Sequence, residues 1–514
     1  MIRQEIIKLI QKATGRPPEE IRVERPEEET HGDYSTNIAL QLKKSPEEIV
    51  KKLKSDLFGK IELAGPGFIN FFISKEYLQK QVQKLPERIN IGKGEKVNIE
   101  FISANPAGEL HIGNGRNAFA GDVLANVLEK AGYKVIREYF VNDAKNSGQI
   151  RELGKTTIGE GTVYLNDYLR LKIKNQKSKI KNIIQKSKNK ENLYSEAGYF
   201  LAQEIQQDIK DFLDKKLKIK FDEWVSEERD IYGKNKVKKI FARLKKKNLV
   251  YEKDGAWWVR TSRFSEERDW VVIRETGEPT YLLSDIAYHQ DKFDRGFNKV
   301  INIWGADHQA HVSKIKAAAK MLGFKGDLDI LILQLVTLKG KEKISKRRGE
   351  VITLEDLVDE IGLDVSRWFY LQKSLDTHME IDLALAKAGA EKNPVYYVQY
   401  AHARICSILK KAKYNERNKS TGVDLLQHPS ELELIKEMIR FPEVVEDTAK
   451  DYQIQRLPQY ATDLATAFHQ FYRDCKVLTK DRPLSKARLS LVLATKTVLK
   501  NTLSLMGIST PEKM

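Results

Sequence analysis

Val97-Asn-Ile-Glu-Phe-Ile-Ser103, followed by Ala104-Asn-Pro-Ala-Gly-Glu-Leu-His111-Ile-Gly-Asn-Gly-Arg116 and a helical run to Gly132, is the stretch that decides the fold. It opens as a short apolar strand and passes through a loop rich in Gly, Asn and Pro. Ala120, Val123, Leu124, Val127, Leu128 and Ala131 then alternate at spacings of three and one, the pattern of one buried helix face. Gly132 stands where a helix C-cap belongs, and Val135 to Val141 reads as a second strand. A strand–loop–helix–strand unit of this kind implies a parallel sheet.

Outward from that unit, short apolar strands recur at Val300–Ile303 and Ile330–Val336 with a helix between them, read as the second half of the same open sheet. Toward the N-terminus, Ile6, Ile7 and Ile10 share a helical face, and His31-Gly-Asp-Tyr is a turn leading into a predicted helix. Gly65-Pro-Gly-Phe-Ile-Asn70 is a turn entering a strand, so residues 1–88 are expected to form a small α+β domain. The polar stretch Pro86 to Lys96 marks the boundary. Residues 89–382 are expected to be the sheet domain, interrupted around 160–258, where the sheet pattern is lost. Residues 171–190 hold eight lysines and no acidic residue, a composition that suits either a phosphate contact or a solvated insertion. From 383 to 514 the pattern is helical, a separate bundle.

A chain of 514 residues is too long for one core. Its net charge of +17 favours a polyanionic partner, although a lysine-rich surface alone would give the same number. Two distant cysteines, Cys406 and Cys475, exclude a disulfide framework and a Cys-x-x-Cys zinc site. No apolar stretch approaches a membrane span and the N-terminus lacks a signal-peptide core, so a cytoplasmic protein is expected.

Two loops carry the chemistry. In the first, His111, Gly113 and Gly115 sit where a strand gives way to a helix N-terminus, whose free N–H groups attract phosphate. In the second, Lys343 and Lys346 flank Ser345 in a glycine-bounded loop, where two ammonium groups could hold charge on a transferring phosphate. A tight turn and a solvated basic loop would account for each in isolation.

Together and in this order, His111-Ile-Gly-Asn114 and Lys343-Ile-Ser-Lys-Arg347 resemble the paired signatures of class I aminoacyl-tRNA synthetases. The flanking segments narrow the resemblance to the arginyl-tRNA synthetase family: Glu100-Phe-Ile-Ser-Ala-Asn-Pro, Arg137-Glu-Tyr-Phe-Val-Asn-Asp143, Tyr281-Leu-Leu-Ser-Asp-Ile-Ala-Tyr288, Trp304-Gly-Ala-Asp-His-Gln309, Val351-Ile-Thr-Leu-Glu-Asp and Asn393-Pro-Val-Tyr-Tyr-Val-Gln-Tyr400. It departs from the usual pattern at Asn114, where a second histidine is commoner, and at Arg347.

The resemblance implies an α/β fold: a Rossmann-like parallel-sheet catalytic domain, a small α+β N-terminal domain that contacts tRNA and an all-α anticodon-binding bundle. It implies arginine–tRNA ligase activity with ATP and Mg²⁺ and without zinc, acting on arginine and tRNA(Arg), in a monomer, with activation that requires bound tRNA. His111, Asn114, Lys343 and Lys346 would act in catalysis, and Gly113, Gly115, His308, Val336 and Ser345 would contact ATP. Glu100, Ser103, Asn105, Tyr281, Asp285 and Gln309 would form the arginine site, with Asp285 taking the guanidinium. The open alternatives are another class I synthetase and a non-catalytic tRNA-binding paralogue.

Overall fold

The computed structural model describes residues 1–84, 89–264, 266–339, 352–389, 392–414 and 422–514. The chain forms two compact units, one of residues 1–89, 389–452 and 456–514, the other of residues 90–388 with 453–455.

The first unit begins with α1 (Ile2–Thr14), which buries Ile2, Ile6, Ile7 and Ile10 and ends on Gly15 in the left-handed region at φ 76°. It continues through β1 (Tyr34–Thr36), the short helices α2 (Ile38–Leu42) and α3 (Pro46–Val50), the hairpin β2 (Phe58–Ala64) and β3 (Phe68–Ile73), and α4 (Lys75–Gln81). The three strands form an antiparallel sheet in the order β1-β3-β2.

The second unit starts with β4 (Lys96–Glu100), α5 (Ile112–Lys130), β5 (Lys134–Val141) and α6 (Gly148–Ile158). Then come α7 (Asp167–Asn175), α8 (Lys177–Lys186), α9 (Lys190–Asp211), β6 (Glu223–Ser226) and α10 (Lys236–Lys246). An antiparallel sheet follows, made of β7 (Val250–Lys253), β8 (Ala256–Val259) and β9 (Trp270–Ile273). The unit closes with α11 (Tyr281–Asp294), β10 (Lys299–Gly305), α12 (Val312–Leu322), β11 (Asp327–Leu333), β12 (Val336–Lys339), α13 (Leu354–Ile361), α14 (Leu363–Leu371), β13 (Met379–Asp382) and α15 (Leu383–Ala386).

Its main sheet is parallel, in the order β11-β10-β4-β5-β6. The chain runs from β4 outward to β5 and β6, then returns to the other side of β4 for β10 and β11. The switch point, where a ligand crevice opens at the carboxyl ends of the strands, therefore lies between β4 and β10.

Two expectations change here. The region 160–258 is not without sheet: β6 lies inside it and adds the fifth strand. Four residues at a sheet edge, with only Val225 and Ser226 buried, leave no periodic signal to read. The single strand expected over Ile330–Val336 is two: β11 stops at Leu333, and Val336 opens β12, which pairs with β13 in a separate parallel ladder. The break falls at Gln334 and Leu335, whose backbone bonds go to Leu375 and Met379 instead of to the main sheet.

The C-terminal helices of the first unit are α16 (Pro394–Lys411), α17 (Pro429–Ile439), α18 (Phe441–Asp451), α19 (Arg456–Asp474) and α20 (Arg482–Leu505). The N-terminal segment packs on them through a charged seam. The Tyr34 hydroxyl donates to Glu443 at 2.9 Å, Arg3 reaches Asp447 at 2.8 Å, and Lys436 pairs with Asp33 at 2.8 Å. Among the described residues, no helix is long and apolar enough to cross a membrane.

Candidate active site

The crevice begins where β4 ends. His111 is the N-cap of α5, and its ring Nδ1 accepts the Gly113 N–H at 3.0 Å. Asn114 completes a capping box, its side-chain oxygen accepting the His111 N–H at 3.0 Å. A ring that accepts through Nδ1 is neutral with its proton on Nε2, and burial lowers the His111 pKa in the same sense, although the residue keeps an exposed edge. Nε2–H is left to donate at the mouth of the helix, where the backbone dipole already favours an anion.

Gly113 and Gly115 answer to different constraints. A Cβ on Gly113 would come within 2.8 Å of the His111 ring, so the missing side chain lets the cap close. A Cβ on Gly115 would stand 2.7 Å from Leu354 and 2.8 Å from Tyr370, so this glycine serves helix packing. The Tyr370 hydroxyl in turn donates to the Ile112 carbonyl at 2.7 Å.

The second basic motif, with Lys343, Ser345 and Lys346, lies outside the described residues. Its downstream neighbours are tied to the first motif: His111 bridges Thr353, and the Leu354 N–H donates to the Leu110 carbonyl at 2.8 Å. The buried Arg116 donates to the carbonyls of Gln334 at 2.9 Å and Ser374 at 2.6 Å, fixing the approach to β12 against α5. Val336 is the first residue of β12.

On the amino-acid side, Ile102 and Ser103 are consecutive non-glycine residues in the left-handed region, at φ 67° and 40°. Such backbone persists only where its surroundings hold it. Here the Asn117 side chain accepts the Ile102 N–H at 2.8 Å, and Asn142 donates to the Ser103 carbonyl at 3.0 Å. The Ser103 hydroxyl donates to Glu100 at 3.0 Å. Glu100 is buried behind Ser103, and its other oxygen takes the Lys292 ammonium at 2.6 Å.

Tyr281, 57% exposed at the start of α11, lines a pocket with Asn146, Ser147, Glu227 and Tyr232. One turn further on, Asp285 pairs with His311 at 2.6 Å. Asn105, His308 and Gln309 are exposed on the loop after β4 and the turn after β10, and His308 stands 3.4 Å from Asp307.

Glu227 is the residue that sequence reasoning missed. It follows β6 and is buried, and it accepts the Ser284 hydroxyl at 2.5 Å. Burial, with Asp285, Asp143 and Glu228 nearby, pushes its pKa up to about 7. Among the described residues no cation pairs with it. Its one sequence signal was the acidic pair Glu227-Glu228 after an apolar Trp-Val, which nothing local sets apart from a surface turn.

The comparisons with known proteins concern the family and the fold. Residues 76–384 match the family described as tRNA synthetases class I (R), catalytic domain. Residues 1–73 match the arginyl tRNA synthetase N terminal domain, and 398–514 the DALR anticodon binding domain. The arginine–tRNA ligase of Bacillus subtilis (strain 168) is 41% identical over 525 residues, covering 96% of this chain and 94% of the relative. That of Bacillus licheniformis is 41% identical over 557 residues, covering 100% and 98%. Among solved structures, Thermus thermophilus arginyl-tRNA synthetase superposes with a TM-score of 0.81 at 23% identity over 100% of both chains, a likeness of fold.

Proposed function

The chain belongs to the arginyl-tRNA synthetase family of class I enzymes, and on that premise we propose how its second unit works as an arginine–tRNA ligase. The enzyme consumes ATP to join arginine to tRNA. The arginine carboxylate attacks the α-phosphate of ATP and pyrophosphate leaves; a ribose hydroxyl of the terminal adenosine of tRNA(Arg) then attacks the arginyl carbonyl of the adenylate, and AMP leaves.

The triphosphate lies over the N-terminus of α5. Nε2–H of His111 donates to a phosphate oxygen, and the side-chain amide N–H groups of Asn114, whose oxygen is engaged in the cap, supply a second donor. Gly113 keeps the approach open; His308 and Val336 border the nucleotide. Lys343, Ser345 and Lys346 hold the pyrophosphate side. Mg²⁺, if bound with the triphosphate, would neutralise part of its charge. Catalysis is positioning plus stabilisation of phosphate charge.

Arginine lies with its guanidinium between Glu227 and Asp285, under Tyr281, and its α-amino and carboxylate ends toward Ser103, Asn105 and Gln309. The observation that carries this reading is Glu227, a buried carboxylate that forms no ion pair among the described residues. A guanidinium presents five donors in a fixed fork and suits two neighbouring carboxylates better than any other amino-acid side chain.

For tRNA, Tyr400 and Tyr472 in the first unit are 41% and 39% exposed, and Arg404 lies 4.7 and 4.8 Å from their ring centroids. Exposed rings beside a guanidinium suit unpaired anticodon bases. Tyr397, whose hydroxyl bonds Thr466 at 3.1 Å, is packed.

The test is to charge total tRNA with each of the twenty amino acids and ATP. Arginine alone is expected to be charged, and Asp285→Ala should abolish it in a protein that still folds. Charging by another amino acid would overturn the pocket, and tRNA binding without any charging would favour a non-catalytic paralogue.

A further inference from the structure

Behind the pocket, three polar side chains form a row across the centre of the sheet. Asn302 of β10 is in register with Glu100 of β4, which is in register with Glu138 of β5. All three are buried, and the row crosses the switch point one layer below the crevice. Lys292, 0% exposed, approaches it from α11 and reaches every member. Its ammonium is 2.6 Å from Glu100, 2.9 Å from Asn302 and 3.8 Å from Glu138.

Lys292 shares a helix face with the pocket. Tyr281, Asp285, Tyr288 and Lys292 follow one another at spacings of four, three and four along α11. The upper half of that face meets the crevice and the lower half meets the row. A second route joins the same points. Asn302 donates to Nε2 of His289 at 2.7 Å, and Nδ1–H of His289 donates to the Asp285 carbonyl at 2.8 Å. Glu100 accepts the hydroxyl of Ser103, in the strained turn on the opposite wall.

We propose that Lys292 is a positioning residue for arginine: it sets the height and rotation of α11 against β10, β4 and β5, so that Asp285 and Ser103 face the same ligand. This rests on the reading of the crevice as the arginine site. A buried ion pair adds little to stability compared with an apolar core of the same volume, but one ammonium branching to three strands specifies a single register of helix on sheet. An aliphatic side chain would fill the space and leave the register free.

The experiment is steady-state aminoacylation with KM measured separately for arginine, ATP and tRNA, alongside thermal melting. Lys292→Met should raise KM for arginine by roughly 10- to 100-fold, the scale of a misplacement of about 1 Å, with KM for ATP and tRNA within about threefold of wild type. Asn302→Ala cuts the link to His289 and leaves the Glu100 pair intact; it should shift the arginine KM the same way by roughly threefold to tenfold. If Lys292→Met does not fold, Asn302→Ala decides alone. A folded variant with an unchanged arginine KM, or equal shifts in all three constants, would reduce Lys292 to a core ion pair. Failure of the wild type to charge arginine would instead overturn the reading of the site itself.

Discussion

The row beneath the crevice and the pocket above it use the same residue types to opposite ends. In the row, Glu100 and Glu138 are matched by Lys292 and Arg295, with Arg295 at 2.5 Å from Glu138 and the Tyr288 hydroxyl at 2.5 Å from the same carboxylate. Burial opposes ionisation of Glu138, but Lys292 and Arg295 outweigh it and hold its carboxyl below the usual range. Burial and the same Lys292 push His289 down to about 4, so its ring stays neutral and passes hydrogen bonds without adding charge. In the pocket, whose lining includes Arg151 and Arg274, Glu227 forms no ion pair among the described residues, and burial raises its carboxyl instead. A buried carboxylate whose charge is balanced inside the protein is scaffold. On the proposed reading, Glu227 is left unbalanced for a ligand that brings the missing charge.

The largest effect that could break this contrast is on the scaffold side. Glu138→Ala leaves Arg295 with Asp291 at 3.4 Å as its remaining ion pair and the row with excess positive charge, and it should cost about 3–5 kcal/mol of folding stability, read by chemical denaturation. A variant as stable as wild type would mean the row is not a balanced unit. In the pocket the cost should fall on the ligand. Glu227→Gln should raise the arginine KM about 100-fold while leaving the melting temperature unchanged or higher, since it removes an unfavourable charge. A loss of stability with normal arginine binding would reverse the assignment.

A smaller effect sharpens the packing role of one motif glycine. Gly115→Ala drives a methyl group into Leu354 and Tyr370 and should destabilise by about 1–3 kcal/mol. Gly113→Ala instead presses on the His111 cap, so it should show first in the KM for ATP, and equal behaviour of the two would erase the distinction.

The smallest effect is in pH. Because the folded pKa of Glu227 is raised to about 7, its contribution to stability is present at low pH and is lost as pH rises from the ordinary carboxylate range through that value. Arginine binding has the opposite sign, because the guanidinium needs the ionised form. Affinity should be full near pH 8 and weaker by roughly tenfold near pH 6, and flat over that window in Glu227→Gln. Titration calorimetry at the two pH values reads it directly, and an equal pH dependence in the variant would assign the titration elsewhere.

What could be read from the chain alone was local and repetitive. The helical period from Ala120 to Ala131, the alternation of strand and helix around it, and the glycines of the first motif all act through neighbours a few residues away, so they are written in order along the sequence. The helical face of α1 and the turn at Gly65 and Gly67 were legible for the same reason.

The rest depended on which distant segments meet. β6 carries too few buried residues to announce itself, and it joins the sheet only because β5 offers an open edge. Glu227 looks like a surface acid until the fold buries it against Ser284, 57 positions away. Lys292, in a chain with 89 Lys and Arg residues, is indistinguishable from a solvated lysine until three strands present it with acceptors. Sequence determines which chemistry is available and which elements form. Tertiary structure decides which charges are desolvated and whether each is balanced, because both depend on groups that only folding brings within a few ångströms.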